Sequence, residues 1–286
     1  MKKIGITTDC VCDLPEEYFS LNDVGVVYFY ITTSTGRFRD GYEIDSANLI
    51  EYLENGGEKA ETCAPEPIEY KSFFEEQLKK YDEIIHISIT DKVSLSYRNA
   101  LEAVKDMGDE GKRVHVADSE HLSTGMGHIV INAVEMRDGG SSVQEILEET
   151  ERLKKRVSTS FIAKNADYLY RNGRVSKTVR NICGAFMVHP ILYLKNGKMT
   201  LKSVRIGNYD NAVKRYIGQE LRHSKRIDKR RLFITHVGCT VKKISEAKAE
   251  VNRLCAFEEV IVTKASATIS SNCGEGTIGV LYINEN

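Results

Sequence analysis

The segment Ile84-Ile85-His86-Ile87-Ser88-Ile89-Thr90-Asp91-Lys92-Val93-Ser94-Leu95-Ser96-Tyr97 carries the clearest chemistry in this chain. A β-branched apolar run empties into a hydroxyl-rich turn. A helical pattern (Arg98, Ala100, Leu101, Val104, Met107) begins at once. The order is strand, turn, helix, with Ser94 or Ser96 at the helix N-terminus. Such a terminus offers unpaired N–H groups and a positive dipole end, so it suits an anion. No glycine-rich phosphate cradle and no Lys-Ser/Thr pair accompanies it, which favours a small anionic head such as a carboxylate over a nucleotide.

Other segments add polar groups. Glu61-Thr62-Cys63-Ala64-Pro65-Glu66-Pro67 lies between a glycine break and an amphipathic helix. Its prolines stiffen it, so Thr62 and Cys63 are either held near a ligand or merely lead into the helix. Ser270-Ser271-Asn272-Cys273-Gly274-Glu275-Gly276-Thr277 reads as a small-residue loop. There Gly274 and Gly276 permit close backbone approach, and Asn272 offers a neutral donor and acceptor. Asn172-Gly173-Arg174 and Lys202-Ser203-Val204-Arg205 put cations beside turns, as solvated surface groups or as contacts for a protein or phosphate. Ser94 as a nucleophile would require an oriented base. The G-x-S-x-G elbow is missing and the seven histidines are scattered, so Ser94 reads as a hydrogen-bond donor before a nucleophile. A serine-dependent acyl hydrolase using Ser94 is the alternative. No spacing matches a helical metal motif, and Asp9, Asp13 and Asp118 read as turn and cap residues.

The elements that must position these groups alternate. Strands are expected at 3–8, 25–32, 83–89 and 113–117, and helices at 15–21, 46–54, 68–80, 97–107 and 125–137. Asp45 reads as an N-cap and Asn55-Gly56-Gly57 as a stop. This alternation implies a parallel sheet covered on both faces, with ligands beyond the carboxyl ends of its strands. Thr8-Asp9, Ser88-Ile89-Thr90 and Ala117-Asp118-Ser119 all fall at such ends. After the break at Asp138-Gly139-Gly140-Ser141 the texture changes. Ser142 to Glu145 reads as a capping box, and Asn196-Gly197 joins two strands as a type I′ hairpin. Antiparallel pairing therefore enters the second half, with helices at 208–223 and 241–254 and strands at 158–163, 231–236, 258–263 and 277–283.

Bulk properties narrow the classes. A chain of 286 residues can bury a large core, and its net charge of −1 creates no global field for nucleic acid. Lys225-Arg226 and Lys229-Arg230-Arg231 read as solvated helix end and loop. The N-terminus lacks an apolar h-region and reads as a first strand, and no run suits a membrane span. Seven cysteines without a C-x-x-C pair fit reduced thiols in a cytoplasm.

Seven segments in register resemble the DegV family of bacterial lipid-binding proteins. Ile6-Thr7-Thr8-Asp9-Cys10-Val11-Cys12-Asp13-Leu14-Pro15 resembles its strand followed by D-S-T-x-D-L-P. Glu61-Thr62-Cys63-Ala64-Pro65 resembles its T-S-x-P turn, and Ile87 through Tyr97 its S-I-S-S-x-L-S-G-T-Y. Ala117-Asp118-Ser119 with Gly125-Met126-Gly127 fits its D-S loop and glycines. Leu169 to Val175 is similar to Y-L-x-x-G-G-R-I, His189-Pro190-Ile191-Leu192 to K-P-I-L, and Asn272 to Gly279 to H-x-G-P-G-x-L-G. The resemblance implies an N-terminal three-layer α/β/α domain with a parallel sheet (1–155) and a C-terminal two-layer α/β domain with a mixed sheet (156–286). It also implies a long-chain fatty acid in the cleft between them, bound by Thr62, Ser94, Ser96, Asn272 and Gly274, with no other cofactor and no metal. Asn272 stands where the family often has His, so the help of a protonated imidazole is lost. The implied role is that of the carrier subunit of a fatty acid kinase. Such a carrier has no nucleotide site of its own and presents its acid to a separate ATP-binding subunit, with Arg174 and Arg205 as partner contacts. No nucleic acid is implied; transient membrane contact would serve lipid exchange. Roughly sixteen methylenes at ~0.8 kcal/mol each give about 12 kcal/mol of gross driving force. Association costs of ~4–15 kcal/mol consume much of it, so the buried head needs donors.

Overall fold

The computed structural model describes residues 2–57, 60–184, 187–223 and 226–285, so Lys225 lies outside the described residues. The first half runs β1 (Ile4–Asp9), α1 (Glu16–Leu21), β2 (Val24–Val27), β3 (Tyr30–Thr33), β4 (Gly36–Arg39), α2 (Ser46–Glu54) and β5 (Glu61–Cys63). It continues α3 (Pro67–Leu78), β6 (Glu83–Ser88), α4 (Ser96–Asp106), β7 (Val114–Asp118), α5 (Ser123–Asp138) and α6 (Val143–Leu153). Strands β2-β1-β6-β7 form the expected parallel sheet. Side chains alternate along a strand, and β6 shows the result. Ile84 and His86 face Tyr70 and Phe74 of α3, whereas Ile85 and Ile87 join the cluster around Met126 and Ile129 of α5. Helices thus cover both faces.

The second half runs β8 (Val157–Ile162), α7 (Asp167–Arg171), α8 (Lys177–Cys183), β9 (Val188–Lys195), β10 (Lys198–Ile206), α9 (Tyr209–His223) and β11 (Ile227–His236). It ends with α10 (Val241–Leu254), β12 (Glu259–Lys264), α11 (Ala267–Cys273) and β13 (Ile278–Asn284). Its sheet has the order β10-β9-β8-β13-β11-β12, with only β11 and β12 parallel among its described pairs. Ala212, Tyr216 and Ile217 of α9 and Ala247 and Val251 of α10 pack on one face. The other face takes α5, which also packs against β1 and β6, so this helix lies between the two sheets. Eleven of its sixteen residues are buried, as a helix walled on all sides requires. Gly125 makes the close approach possible: a Cβ there would sit 1.9 Å from Thr159 Oγ1.

Local signals set several boundaries. Asp45 accepts from Asn48 N–H at 2.8 Å to start α2, and Ser142 and Glu145 form the capping box of α6. Asn196 and Gly197 have φ of +49° and +76°, as the hairpin turn demands. Two expectations are corrected. The single strand over 25–32 is two strands. The chain leaves the parallel sheet after Val27, and β3 joins a small antiparallel sheet, β4-β3-β5. The loop expected from Ser270 begins as helix instead. Ser270 to Cys273 lie in α11, whose N-terminal N–H groups are bound by distant acids: Asp40 accepts from Ala267 and Thr268, each at 2.8 Å.

Candidate functional site

The carboxyl ends of β1 and β6 meet, with α3 and the start of α4, around one buried acid. Asp9 is fully buried. It accepts from Tyr70 Oη at 2.6 Å, Ser96 Oγ at 2.7 Å, Ser88 Oγ at 2.9 Å and Ile89 N–H at 2.9 Å. His86 Nε2 stands 3.4 Å away. Burial works to raise its pKa, but His86, Tyr70 and the Ile89 N–H more than offset it, so its carboxyl lies below the usual range.

Beyond this hub a cavity of about 550 Å³ opens between the two halves. The first half contributes Phe29, Thr62, Cys63, Ile89, Val93, Ser94 and Leu122 together with the charged Glu66, Asp91 and Lys92, and the second Arg174, Met199, Thr268, Ile269, Asn272 and Cys273. Wider clefts of about 730 and 810 Å³ lie around Lys2 and Glu83. These sit at the amino ends of the parallel strands, open and rimmed with charge, whereas α/β sheets bind at the opposite edge. The interdomain cavity, apolar along most of its wall with a few convergent polar groups, is the better site.

The acids in that wall are engaged: Asp91 pairs with Lys92 and Arg98, and Glu66 caps α3. Thr62, on β5, has a hydroxyl without a hydrogen-bond partner among the described residues. Ser94 Oγ accepts from Ser96 N–H at 3.2 Å, which leaves its own proton to donate. Arg174 is half-buried and crosses the cleft: Nε donates to Asn272 Oδ1 and Nη1 to Val93 O, both at 2.8 Å. It meets no carboxylate among the described residues. Burial lowers its pKa from the ordinary guanidinium value, a sign of a charge short of solvent. Asn272 is fixed in turn, donating from Nδ2 to Thr268 O at 2.8 Å. No histidine lines the cavity among its described walls, so Ser94 has no adjacent base. No group of three or more His, Cys, Asp or Glu is placed to hold a metal among the described residues.

The structure therefore brings Thr62 and Ser94 from the first half and Asn272 from the second to one cavity. Three other expectations change. Ser96 is fully buried behind that wall and spends its hydroxyl on Asp9. Gly274, at φ +79°, ends α11 against the ring of Tyr168 and is no part of the wall. Arg174, expected as a partner contact, lines the cavity. Arg205 sits elsewhere, in a surface groove with Lys214, Arg215, Arg222 and Glu250, where it donates to Gln219 Oε1. Asp9, read from the sequence as a turn and cap residue at a strand end, is instead a buried acceptor of four donors, and the inward course of Arg174 was not foreseen.

Comparison with known proteins follows the same lines. The family model described as "Uncharacterised protein, DegV family COG1307" matches residues 3–285. A DegV domain-containing protein of Caldanaerobacter subterraneus is 28% identical over 282 residues, 99% of each chain. One of Clostridium acetobutylicum is 31% identical over 208 residues, 73% of this chain and 74% of its own. A solved DegV family protein from Thermus thermophilus, described for its fatty acid binding, superposes with a TM-score of 0.88 at 25% identity, covering 99% of this chain and 100% of its own. A DegV family protein from Eubacterium eligens loaded with heptadecanoic acid shares the fold, with a TM-score of 0.86 at 21% identity over 99% and 100% of the two chains.

Proposed function

The chain belongs to the DegV family, and from that premise and the geometry of its cleft we propose that it binds a long-chain fatty acid between its two halves. The carboxylate rests against the hydroxyls of Thr62 and Ser94 and the guanidinium of Arg174. The tail runs over Phe29, Ile89, Leu122, Met199 and Ile269. Arg174 carries the reading. A cation half withdrawn from water, which pairs with no carboxylate among the described residues although Glu66 and Asp91 also line the cavity, calls for an anion, and the Thr62 and Ser94 hydroxyls line the same space. Asn272, neutral, supplies orientation by holding Nε. Ser96 and Gly274 act from behind the wall.

No bond-making step is assigned to this chain. We read it as a carrier that presents the acid to a separate ATP-binding kinase subunit in the cytoplasm and exchanges lipid in transient contact with a membrane. No described helix is long and apolar enough to cross one. Arg205, in a groove where Lys214, Arg215 and Arg222 outnumber the acid Glu250, suits an acidic surface on such a partner. The division into domains 1–155 and 156–286 falls between α6 and β8.

Calorimetric titration with palmitic acid and with methyl palmitate tests the reading. The acid should bind roughly 100-fold more tightly, the worth of two hydrogen bonds to a charged group. Equal affinities, or binding of neither, would remove it.

A further inference from the structure

Asp9 is fully buried and does not line the interdomain cavity, so the function proposed above makes no direct use of it. Its contacts nevertheless define the site. Ile89, whose N–H it binds, is the first residue after β6; Ser96, whose hydroxyl it binds, is the first residue of α4. Between those two anchors runs the turn that carries Ser94. Ser96 passes the constraint on, because its N–H donates to Ser94 Oγ at 3.2 Å. We infer that Asp9 is a positioning residue for the ligand's carboxylate: it ties both ends of the 89–96 turn and thereby fixes where the Ser94 hydroxyl points. This rests on the reading of the cleft as a fatty acid site.

The chemistry explains why an acid stands there. Ser88, Ile89 and Ser96 all donate to the same oxygen, Oδ2, while Tyr70 donates to Oδ1. Hydroxyls can rotate to other partners, but the Ile89 N–H cannot. An oxygen acceptor facing Ile89 is therefore the irreplaceable part, and the second oxygen is not. Asparagine can keep an oxygen toward Ile89 and turn its amide toward Tyr70, whose hydroxyl can accept. Alanine cannot supply either contact. The order of effects is thus Asp9→Ala above Asp9→Asn.

The experiment uses the full chain and reads affinity for palmitic acid against affinity for methyl palmitate, in wild type, Asp9→Ala, Asp9→Asn and Ser96→Ala. Ser96→Ala cuts one anchor only and stands in if Asp9→Ala does not fold. Asp9→Ala or Ser96→Ala should weaken the acid by about tenfold, the size of one hydrogen bond to a charged group, with the ester unmoved. Asp9→Asn should recover most of that loss. Equal weakening of acid and ester, or unchanged acid affinity in folded variants, would overturn the positioning role. A wild type that does not prefer acid over ester would instead remove the site reading itself.

Discussion

Both ends of the cleft are braced by buried aspartates, and the two braces differ. Behind the head end, Asp9 receives donors from Tyr70, Ser88, Ile89 and Ser96, and its carboxyl lies below the usual range. Behind the tail end, Asp13 receives the Ser266 N–H at 2.8 Å and the Ser123 hydroxyl. There burial outweighs these donors and, with nearby Asp40, pushes the Asp13 carboxyl up to about 7. The head end is a polar turn held rigid by an acid with enough partners. The tail end is set chiefly by packing: Leu122, Ile269 and Cys273 separate the main cavity from a second chamber of only about 30 Å³. A pocket built this way should be strict about the head group and tolerant of the tail.

That contrast can be broken most forcefully at the head. Thr62→Ala with Ser94→Ala should lower palmitic acid affinity by roughly 100-fold and leave methyl palmitate within about twofold. A matching fall for the ester would mean that the hydroxyls shape the whole cleft. Arg174→Met comes next. Loss of the cation should weaken the acid by about tenfold, more steeply at low salt. At the tail the effect should be smaller and of another kind. Leu122→Ala joins the main cavity to the small chamber, so a competition series of acids should shift toward longer chains by roughly fivefold. An unchanged length profile would show that the tail leaves by another route.

The smallest effect concerns the braces. The unfolded-state pKa of an aspartate is near ~4, and that of native Asp13 lies above it at about 7. The native state therefore holds a proton that the unfolded chain has lost across this window. Asp13's contribution to stability is full below about pH 4 and is lost as pH rises through about 7. Melting temperatures from pH 4 to 8 should show a decline that Asp13→Asn flattens. An identical slope in both proteins would place the proton elsewhere.

Much of this was legible in the residues. β-Branched runs ending in Asp9 and Ser88 gave the parallel sheet and its ligand edge, and Asn196-Gly197 gave the hairpin, because these signals are local. Thr62 and Ser94 were readable as hydroxyls on turns beside that edge. What escaped depends on contacts far apart in the chain. Ser96 looks like a cap, but its hydroxyl is claimed by Asp9, 87 residues away. Ser270 to Cys273 lack helix formers, and α11 exists because Asp40 and Ser266 cap it. Periodicity across α5 is faint because both its sides face a sheet.

On the proposed reading, an acid lies in this cleft with its head at Thr62, Ser94 and Arg174. Organic extraction of the purified protein followed by quantitative mass spectrometry tests it most directly. An equimolar yield of long-chain fatty acid is the expected result. A protein that releases no lipid, and whose melting temperature added fatty acid leaves unchanged, would contradict it.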